Sequence, residues 1–180
     1  MPVDHKLRGS HGDLIFFMLQ IGETAPDFTL CTLTTDGPEL IRLGANRGIR
    51  NTVLLFVPMA FTPVCTAELC TITKTLNDYN RLNAAVYAIS GDNPYAQEAW
   101  AQKEGIRVTI LSDYDHEVAR AYGVAYASYD ATNKLPLAGV PKRAAFVVDE
   151  AGVIRHVDIK ESQLEVPEFE KIKTALAGLV

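Results

Sequence analysis

Cysteine is scarce in this chain, which has only Cys31, Cys65 and Cys70 among its 180 residues. So few cysteines exclude the disulfide framework of small secreted proteins, and no C-x-x-C pair is present. The histidines are scattered, so no zinc-ligand spacing is recognisable, and no glycine-rich phosphate loop is found. We therefore expect no metal, no cofactor and a reducing, cytoplasmic compartment.

Long hydrophobic runs and an excess of basic charge are also missing. The formal net charge is −5 at pH 7, and the interspersed charges predict neither nucleic-acid binding nor attraction to an anionic membrane. No apolar run approaches the roughly 18 residues of a membrane-spanning helix. Apolar residues make up 48% of the sequence, which is enough for a sizeable core in one domain.

The first seventeen residues differ from the rest of the chain. They contain Arg8-Gly-Ser-His11, which resembles a vector-derived leader, although a genuine N-terminal extension is the alternative. The apolar stretch from Leu14 to Leu19 is short and lacks a signal-peptidase site, so we expect no export. We predict a leader or extension over residues 1–17 and a single domain over residues 18–180.

Strand-like and helix-like patterns alternate after Pro26. We predict strands at 27–33, 39–43, 52–57, 84–90, 108–111, 143–148 and 153–157, and helices at 63–80, 94–104, 115–122 and 167–176. The alternation predicts an α/β fold. Turn residues at 34–38 and 149–152 predict hairpins near both ends, so the sheet must be mixed.

Cys65 follows a buried strand and falls in the first turn of a predicted helix. Thr62 is a good N-cap and Pro63 suits the first helical position. Unpaired backbone N–H groups and the helix macrodipole favour a thiolate there, and thiolate is the nucleophilic form of cysteine. The alternative is a buried structural cysteine, but packing alone does not require the Thr-Pro sequence before it.

The pattern Pro58-x-x-x-Thr62-x-x-Cys65 resembles the active-site loop of peroxiredoxins. The segment from Phe61 to Cys70 is similar to the bacterioferritin-comigratory (Q-type) branch, and the second half to the one-cysteine, E-type alkyl hydroperoxide reductases. This resemblance implies a thioredoxin-like fold, with a mixed central sheet flanked by helices and an N-terminal β-hairpin. It also implies thiol-dependent reduction of hydrogen peroxide and alkyl hydroperoxides.

The resemblance assigns roles to individual residues. Cys65 would attack the peroxide and become a sulfenic acid, with the Thr62 hydroxyl between sulfur and peroxide. Pro58 would stiffen the loop, unless it only ends the strand. Arg143 matches the essential arginine of the family and Glu68 a residue that orients it; the alternative for both is an exposed surface charge.

Cys70 decides between two resolution mechanisms. Positions i and i+5 of a helix have Cα atoms about 8–9 Å apart, whereas a disulfide requires less than about 7 Å. If Cys70 resolves Cys65, the first turns of the helix must therefore unwind in each cycle, as the resemblance to Q-type enzymes implies. The alternative is inert packing of Cys70, with an external thiol resolving the sulfenic acid.

Other assignments stay open at this stage. The expected partners are a peroxide and thioredoxin or a similar dithiol donor, in a monomer or homodimer; Cys31 is expected to be structural. Phe61, Trp100 and Tyr126 could line a substrate pocket, form a dimer contact or belong to the core. A redox-switched binding or holdase module with the same fold is a further alternative, and it would not need Thr62 or Arg143.

Overall fold

The computed structural model of the chain describes residues 18–129 and 137–180. The strands are β1 Thr29–Thr34, β2 Gly37–Arg42, β3 Asn51–Phe56, β4 Ala84–Ser90, β5 Thr109–Ser112, β6 Ala144–Val148 and β7 Ile154–Ile159. The helices are α1 Pro63–Arg81, α2 Pro94–Glu104, α3 Glu117–Ala121 and α4 Phe169–Ala177, with a 3₁₀ helix at Leu43–Asn46. The predicted leader at residues 1–17 lies outside the described residues.

The seven strands form one mixed sheet with the order β2-β1-β5-β4-β3-β6-β7. The central strand β3 is buried along its whole length, as its continuous apolar sequence predicts. It pairs in parallel with β4 and antiparallel with β6, while β1 and β2 form the predicted N-terminal hairpin. The predicted α/β fold, a mixed sheet flanked by helices, is confirmed.

Helices cover both faces of this sheet. One core joins Val53 and Leu55 of β3 to Leu69 of α1, Trp100 of α2 and Ile172 of α4. The side chains of β3 alternate between the faces, so Leu54 and Phe56 belong to a second core, which includes Val118 and Ala119 of α3. Burying each large apolar side chain contributes roughly 1.5–3 kcal/mol, which makes these cores the main source of stability.

Several elements begin or end one or two residues away from the sequence prediction, and two of these differences have a clear local cause. The first hairpin turn is shorter, because Thr34 pairs directly with Gly37, and Pro38 lies inside β2. A proline is tolerated there because β2 is an edge strand, where one N–H group has no ladder partner to lose. Helix α3 begins at Glu117 rather than 115, because His116 has a left-handed backbone with φ of 58°.

The strand pairing brings together two chain segments that are far apart in sequence. Because β3 and β6 are antiparallel, Phe56 at the end of β3 lies beside Ala144 at the start of β6. The loop that leads from β3 into α1 therefore lies next to Arg143, the residue that precedes β6. No helix of the described ranges is long and apolar enough to cross a membrane.

Candidate active site

The loop between β3 and α1 is held in a defined shape by residues behind it. Pro58 is buried, and the backbone N–H of Ala60 donates to Asp92 Oδ2 at 2.8 Å. The Ser90 hydroxyl donates to the same oxygen at 2.8 Å. Phe61 has a φ of 62°, a left-handed conformation that is strained for a bulky residue and turns the chain sharply into α1.

Thr62 occupies the N-cap position of α1, but its hydroxyl does not cap the helix. The hydroxyl donates to the Met59 carbonyl oxygen at 2.8 Å, and no capping hydrogen bond is made. Thr62 is therefore the N-cap residue, as predicted, but its hydroxyl bonds to the Met59 carbonyl instead of the helix because the turn at Phe61 brings that carbonyl within reach. With its hydrogen used in this way, the Thr62 oxygen keeps its lone pairs for a hydrogen-bond donor in the adjacent cavity.

Cys65 lies in the first turn of α1, as the sequence predicts, and is only 1% exposed. Arg143 Nη2 approaches its sulfur at 3.3 Å. A helix N-terminus and a guanidinium both place positive charge beside the sulfur, and positive charge favours the thiolate over the thiol.

The side chain of Arg143 is almost completely buried, which excludes the alternative of a solvated surface charge. It forms an ion pair with Glu68 through Nη1, and Nη2 also donates to the Gln163 carbonyl oxygen at 3.0 Å. Burial acts to lower the pKa of Arg143, but the charges of Glu68 and Cys65 outweigh it and raise the pKa above its ordinary value. The guanidinium is therefore a permanent, fixed cation beside the sulfur.

Glu68 is buried beneath Arg143, one helical turn beyond Cys65. Burial raises the pKa of its carboxyl group to about 7, although the Arg143 charge opposes the rise; the Asp158 charge adds to it. Among the described residues, Glu68 Oε1 and Arg143 Nε have no hydrogen-bond partner. The ion pair holds the Arg143 side chain in one position. Glu68 contacts Arg143, as predicted.

A cavity of about 670 Å³ opens beside this cluster. Thr62, Val64, Tyr126, Tyr129 and Arg143 are among the residues that line it. Polar and apolar groups therefore line the same cavity, as is usual for a site that binds a small molecule.

Tyr129 is a residue of this site that the sequence analysis missed. Burial, together with the nearby charge of Cys65, raises the pKa of its phenol, which keeps it a neutral hydrogen-bond donor. The sequence shows only a second tyrosine three residues after Tyr126, which is not specific to a functional site. In the structure the centres of the two rings lie 5.4 Å apart.

Comparison with known proteins agrees with this geometry. The AhpC/TSA family model matches residues 21–157. The chain belongs to the AhpC/TSA family. The predicted resemblance to peroxiredoxins is thereby confirmed, and with it the predicted class of enzyme, a thiol-dependent peroxidase.

Individual peroxiredoxins are similar over most of their length. Alkyl hydroperoxide reductase E of Mycobacterium tuberculosis is 36% identical over 164 residues, which cover 90% of this chain and 99% of the relative. Thioredoxin peroxidase of Echinococcus granulosus is 31% identical over 150 residues, 78% of this chain and 72% of the relative. The crystal structure of peroxidoxin BcpB from M. tuberculosis superposes with a TM-score of 0.73 at 27% identity, covering 90% and 99% of the two chains.

Cys70 of this peroxiredoxin lies outside the cavity. Its sulfur is directed at the Glu104 carbonyl oxygen of α2, 3.7 Å away, and it packs partly buried against the core. Helix α1 runs without interruption through both Cys65 and Cys70, and both cysteines are free thiols. The role of Cys70 stays a prediction. For Cys70 to form a disulfide with Cys65, the intact helix α1 must unwind between them.

The three open aromatic residues have different environments. Trp100 is fully buried in the core, Tyr126 lines the peroxiredoxin cavity, and Phe61 is 49% exposed, with its ring 6.4 Å from that of Trp100. Lys103 lies 5.7 Å from the centre of the Phe61 ring.

Within the described residues, no group of His, Cys, Asp and Glu side chains is arranged to hold a metal ion.

Proposed function

We propose that this chain reduces hydrogen peroxide and alkyl hydroperoxides, with the Cys65 thiolate as the nucleophile. The observation that supports this most directly is the buried Arg143 guanidinium, 3.3 Å from the Cys65 sulfur at the wall of an open cavity. A cysteine that only filled space in the core would need neither the cation nor the cavity.

The reaction is a displacement at oxygen. The Cys65 sulfur attacks one peroxide oxygen, the O–O bond breaks, and the departing oxygen takes a proton to leave as water or an alcohol. Cys65 becomes a sulfenic acid. Arg143 stabilises the charge that passes from sulfur to the departing oxygen. The Thr62 oxygen accepts a hydrogen bond from the peroxide O–H group, since its own hydrogen is bonded to Met59.

Two residues act by shaping this site. Pro58 has no N–H group and stiffens the loop that carries Thr62, while Glu68 holds Arg143 in place through the ion pair. The site residues of the proposal are therefore Cys65, Thr62, Arg143, Pro58 and Glu68, with Cys70 in the following step.

In that step, the Cys70 thiol attacks the Cys65 sulfenic acid, which gives a disulfide and water. Thioredoxin or a similar dithiol donor then reduces the disulfide in the cytoplasm, and the protein is a monomer or homodimer. The name of the relative from E. granulosus, thioredoxin peroxidase, supports this donor. The name alkyl hydroperoxide reductase E of the mycobacterial relative supports alkyl hydroperoxides as substrates.

The test is peroxide consumption by the wild-type protein, Cys65→Ser and Cys70→Ser, each with and without thioredoxin and its reductase. We expect turnover only for the wild type with thioredoxin, and a single turnover for Cys70→Ser. A Cys65→Ser variant that consumes peroxide would disprove the proposal.

A one-cysteine peroxidase is the second candidate, favoured by the direction of Cys70 toward Glu104 and away from the cavity. In that case an external thiol resolves the sulfenic acid, and Cys70→Ser turns over as fast as the wild type. This result would remove Cys70 from the site and leave the roles of Cys65 and Arg143 unchanged.

A further inference from the structure

Helix α1 is attached to α2 around the two cysteines. The indole Nε1 of Trp100 donates to Thr66 Oγ1 at 3.0 Å, and the Cys70 sulfur faces the Glu104 carbonyl oxygen. Thr66 directly follows Cys65 in sequence, so the indole hydrogen bond lies next to the reactive thiol. These contacts restrain the segment that must unwind before Cys65 and Cys70 can form a disulfide.

A second attachment marks where this segment ends. The backbone N–H of Arg107 donates to Thr73 Oγ1 at 3.0 Å, and Arg107 Nη2 donates to the Thr73 carbonyl oxygen at 3.1 Å. Both cysteines lie on the N-terminal side of Thr73. Helix α1 beyond Thr73 can therefore stay attached while the turns before it unwind.

The Trp100 hydrogen bond is costly to break because of where it lies. The Trp100 side chain has no exposed surface, and indole has one N–H donor and no acceptor. When Thr66 moves away, this buried donor loses its partner, and an unsatisfied buried donor is penalised. The ring itself is fixed in the core that α1 and α2 share.

We propose that the Trp100–Thr66 hydrogen bond is a latch that keeps the first turns of α1 folded, and that its breakage limits the rate at which Cys70 reaches oxidised Cys65. The inference rests on the intramolecular route of the proposed function. Trp100 and Thr66 are positioning residues, since they act on the thiols through the helix.

The latch determines how long the sulfenic acid persists. While α1 is folded, a second peroxide can oxidise the sulfenic acid to sulfinic acid, releasing another water or alcohol. Once α1 unwinds, the Cys70 thiol displaces water and forms the disulfide, which ends this side reaction. A tighter latch therefore favours over-oxidation, and a weaker latch favours the disulfide.

Thr66→Val tests the latch, because valine keeps the branched shape of threonine and removes the acceptor. The matched control is Thr71→Val on the same helix, whose exposed hydroxyl bonds only to the Ala67 carbonyl oxygen of α1 itself. After rapid mixing with hydrogen peroxide, we expect an unchanged rate of sulfenic acid formation in both variants. Disulfide formation should be about fivefold faster in Thr66→Val, since a hydrogen bond contributes about 1 kcal/mol net, and unchanged in Thr71→Val.

Two further readouts separate the latch from a general loss of stability. The sulfinic acid fraction, measured by mass spectrometry, should fall in Thr66→Val at equal peroxide. Hydrogen exchange should quicken for amides of residues 66–72 and stay unchanged for residues 74–81. If Thr66→Val does not fold, Trp100→Phe removes the donor and keeps a ring in the core, and the same acceleration is expected.

Equal rates of disulfide formation in the wild type, Thr66→Val and Trp100→Phe would overturn the latch while leaving the intramolecular route in place. Absence of a 65–70 disulfide from the oxidised wild type would overturn both. Loss of peroxide consumption by Cys65 is a separate result, which would contradict the proposed function itself.

Discussion

Two cavities of comparable size lie close to cysteines, and only one of them has the surroundings of a reactive site. The cavity at α1 measures about 670 Å³ and is lined by Arg143, which contacts Cys65. The other, between β1 and α3, measures about 540 Å³ and is lined by Cys31. We call them the α1 cavity and the α3 cavity.

The two cysteines differ in charge environment as well as in exposure. Cys31 is the more exposed, and its sulfur contacts the Thr32 carbonyl oxygen at 3.5 Å. The residues that line the α3 cavity in the described part of the chain include no lysine or arginine, and they carry the carboxyl groups of Asp27, Asp113, Asp115 and Glu117. A reactive cysteine needs positive charge beside its sulfur, so accessibility alone does not make Cys31 a nucleophile.

The largest effect is expected from variants that keep one cysteine each. Cys31→Ser/Cys70→Ser retains Cys65 and should form one equivalent of sulfenic acid with hydrogen peroxide. Cys65→Ser/Cys70→Ser retains Cys31 and should form none, because no lysine or arginine lines its cavity in the described part of the chain. Trapping with dimedone, followed by mass spectrometry, measures both. Rapid labelling of Cys31 would contradict the claim that only the surroundings of Cys65 make a cysteine reactive with peroxide.

Removal of the cation should make Cys65 resemble Cys31. Arg143→Met should slow peroxide reduction by about 100–1,000-fold, the usual loss when one preorganised charge donor is removed. Stopped-flow measurement of the second-order rate constant checks this, with circular dichroism to verify the fold. Because this variant leaves Glu68 buried without its partner, Arg143→Met/Glu68→Gln is the control; a near-normal rate in either variant would show that Arg143 has no such role.

Glu68, which holds Arg143 beside the α1 cavity, should make the stability of the folded protein depend on pH. Its pKa is about 7 in the folded protein and 4.5 in its ordinary state, so the folded state binds a proton more tightly than the unfolded state. The contribution of Glu68 to stability is therefore complete below about pH 4.5 and is lost as the pH rises to about 7. At about 1.4 kcal/mol per pKa unit, the loss is about 3 kcal/mol.

The measurement is urea unfolding of the wild type and Glu68→Gln between pH 4.5 and 8. The free energy of unfolding of the wild type should fall relative to the variant across this range. A constant difference between the two proteins would contradict the raised pKa.

The smallest effect is expected from adding a cation to the α3 cavity. Leu40 lies directly opposite Cys31 on the neighbouring strand, is 71% exposed and lines the same cavity. Leu40→Lys should therefore increase the rate of Cys31 alkylation by iodoacetamide a few-fold, in the Cys65→Ser/Cys70→Ser background, since side chains opposite each other on paired strands interact. Leu40→Gln is the neutral control, and equal rates for lysine and glutamine would show that charge is not what separates the cavities.

Local patterns were enough to predict much of this fold. The ends of β3 and α1 lie within one residue of their predicted positions, because an apolar run and a Thr-Pro helix start are local signals. The strand order was not predictable in this way, since β1 joins the sheet beside β5 through a pairing of residues 31 and 112. Nor was the left-handed conformation of Phe61, because nothing in a phenylalanine favours it.

The residues of the site also fall into those that a local sequence pattern predicts and those that depend on contacts between distant segments. Cys65 and Thr62 belong to one local motif, whereas Arg143 and Glu68 were assigned through the resemblance to peroxiredoxins, since a single arginine at a strand end has no distinctive pattern. Tyr129 was missed, and the Trp100–Thr66 hydrogen bond was not predictable, because both depend on which segments meet in space.

The separation of Cys65 and Arg143 along the chain has a consequence for biosynthesis. The two residues lie 78 positions apart, and they meet only when β6 pairs with β3. Since the ribosome releases the N-terminal part first, the cysteine leaves the exit tunnel well before its cation. We expect the nascent thiol to react slowly with peroxide until the second half of the sheet closes, which protects the unfinished chain from oxidation.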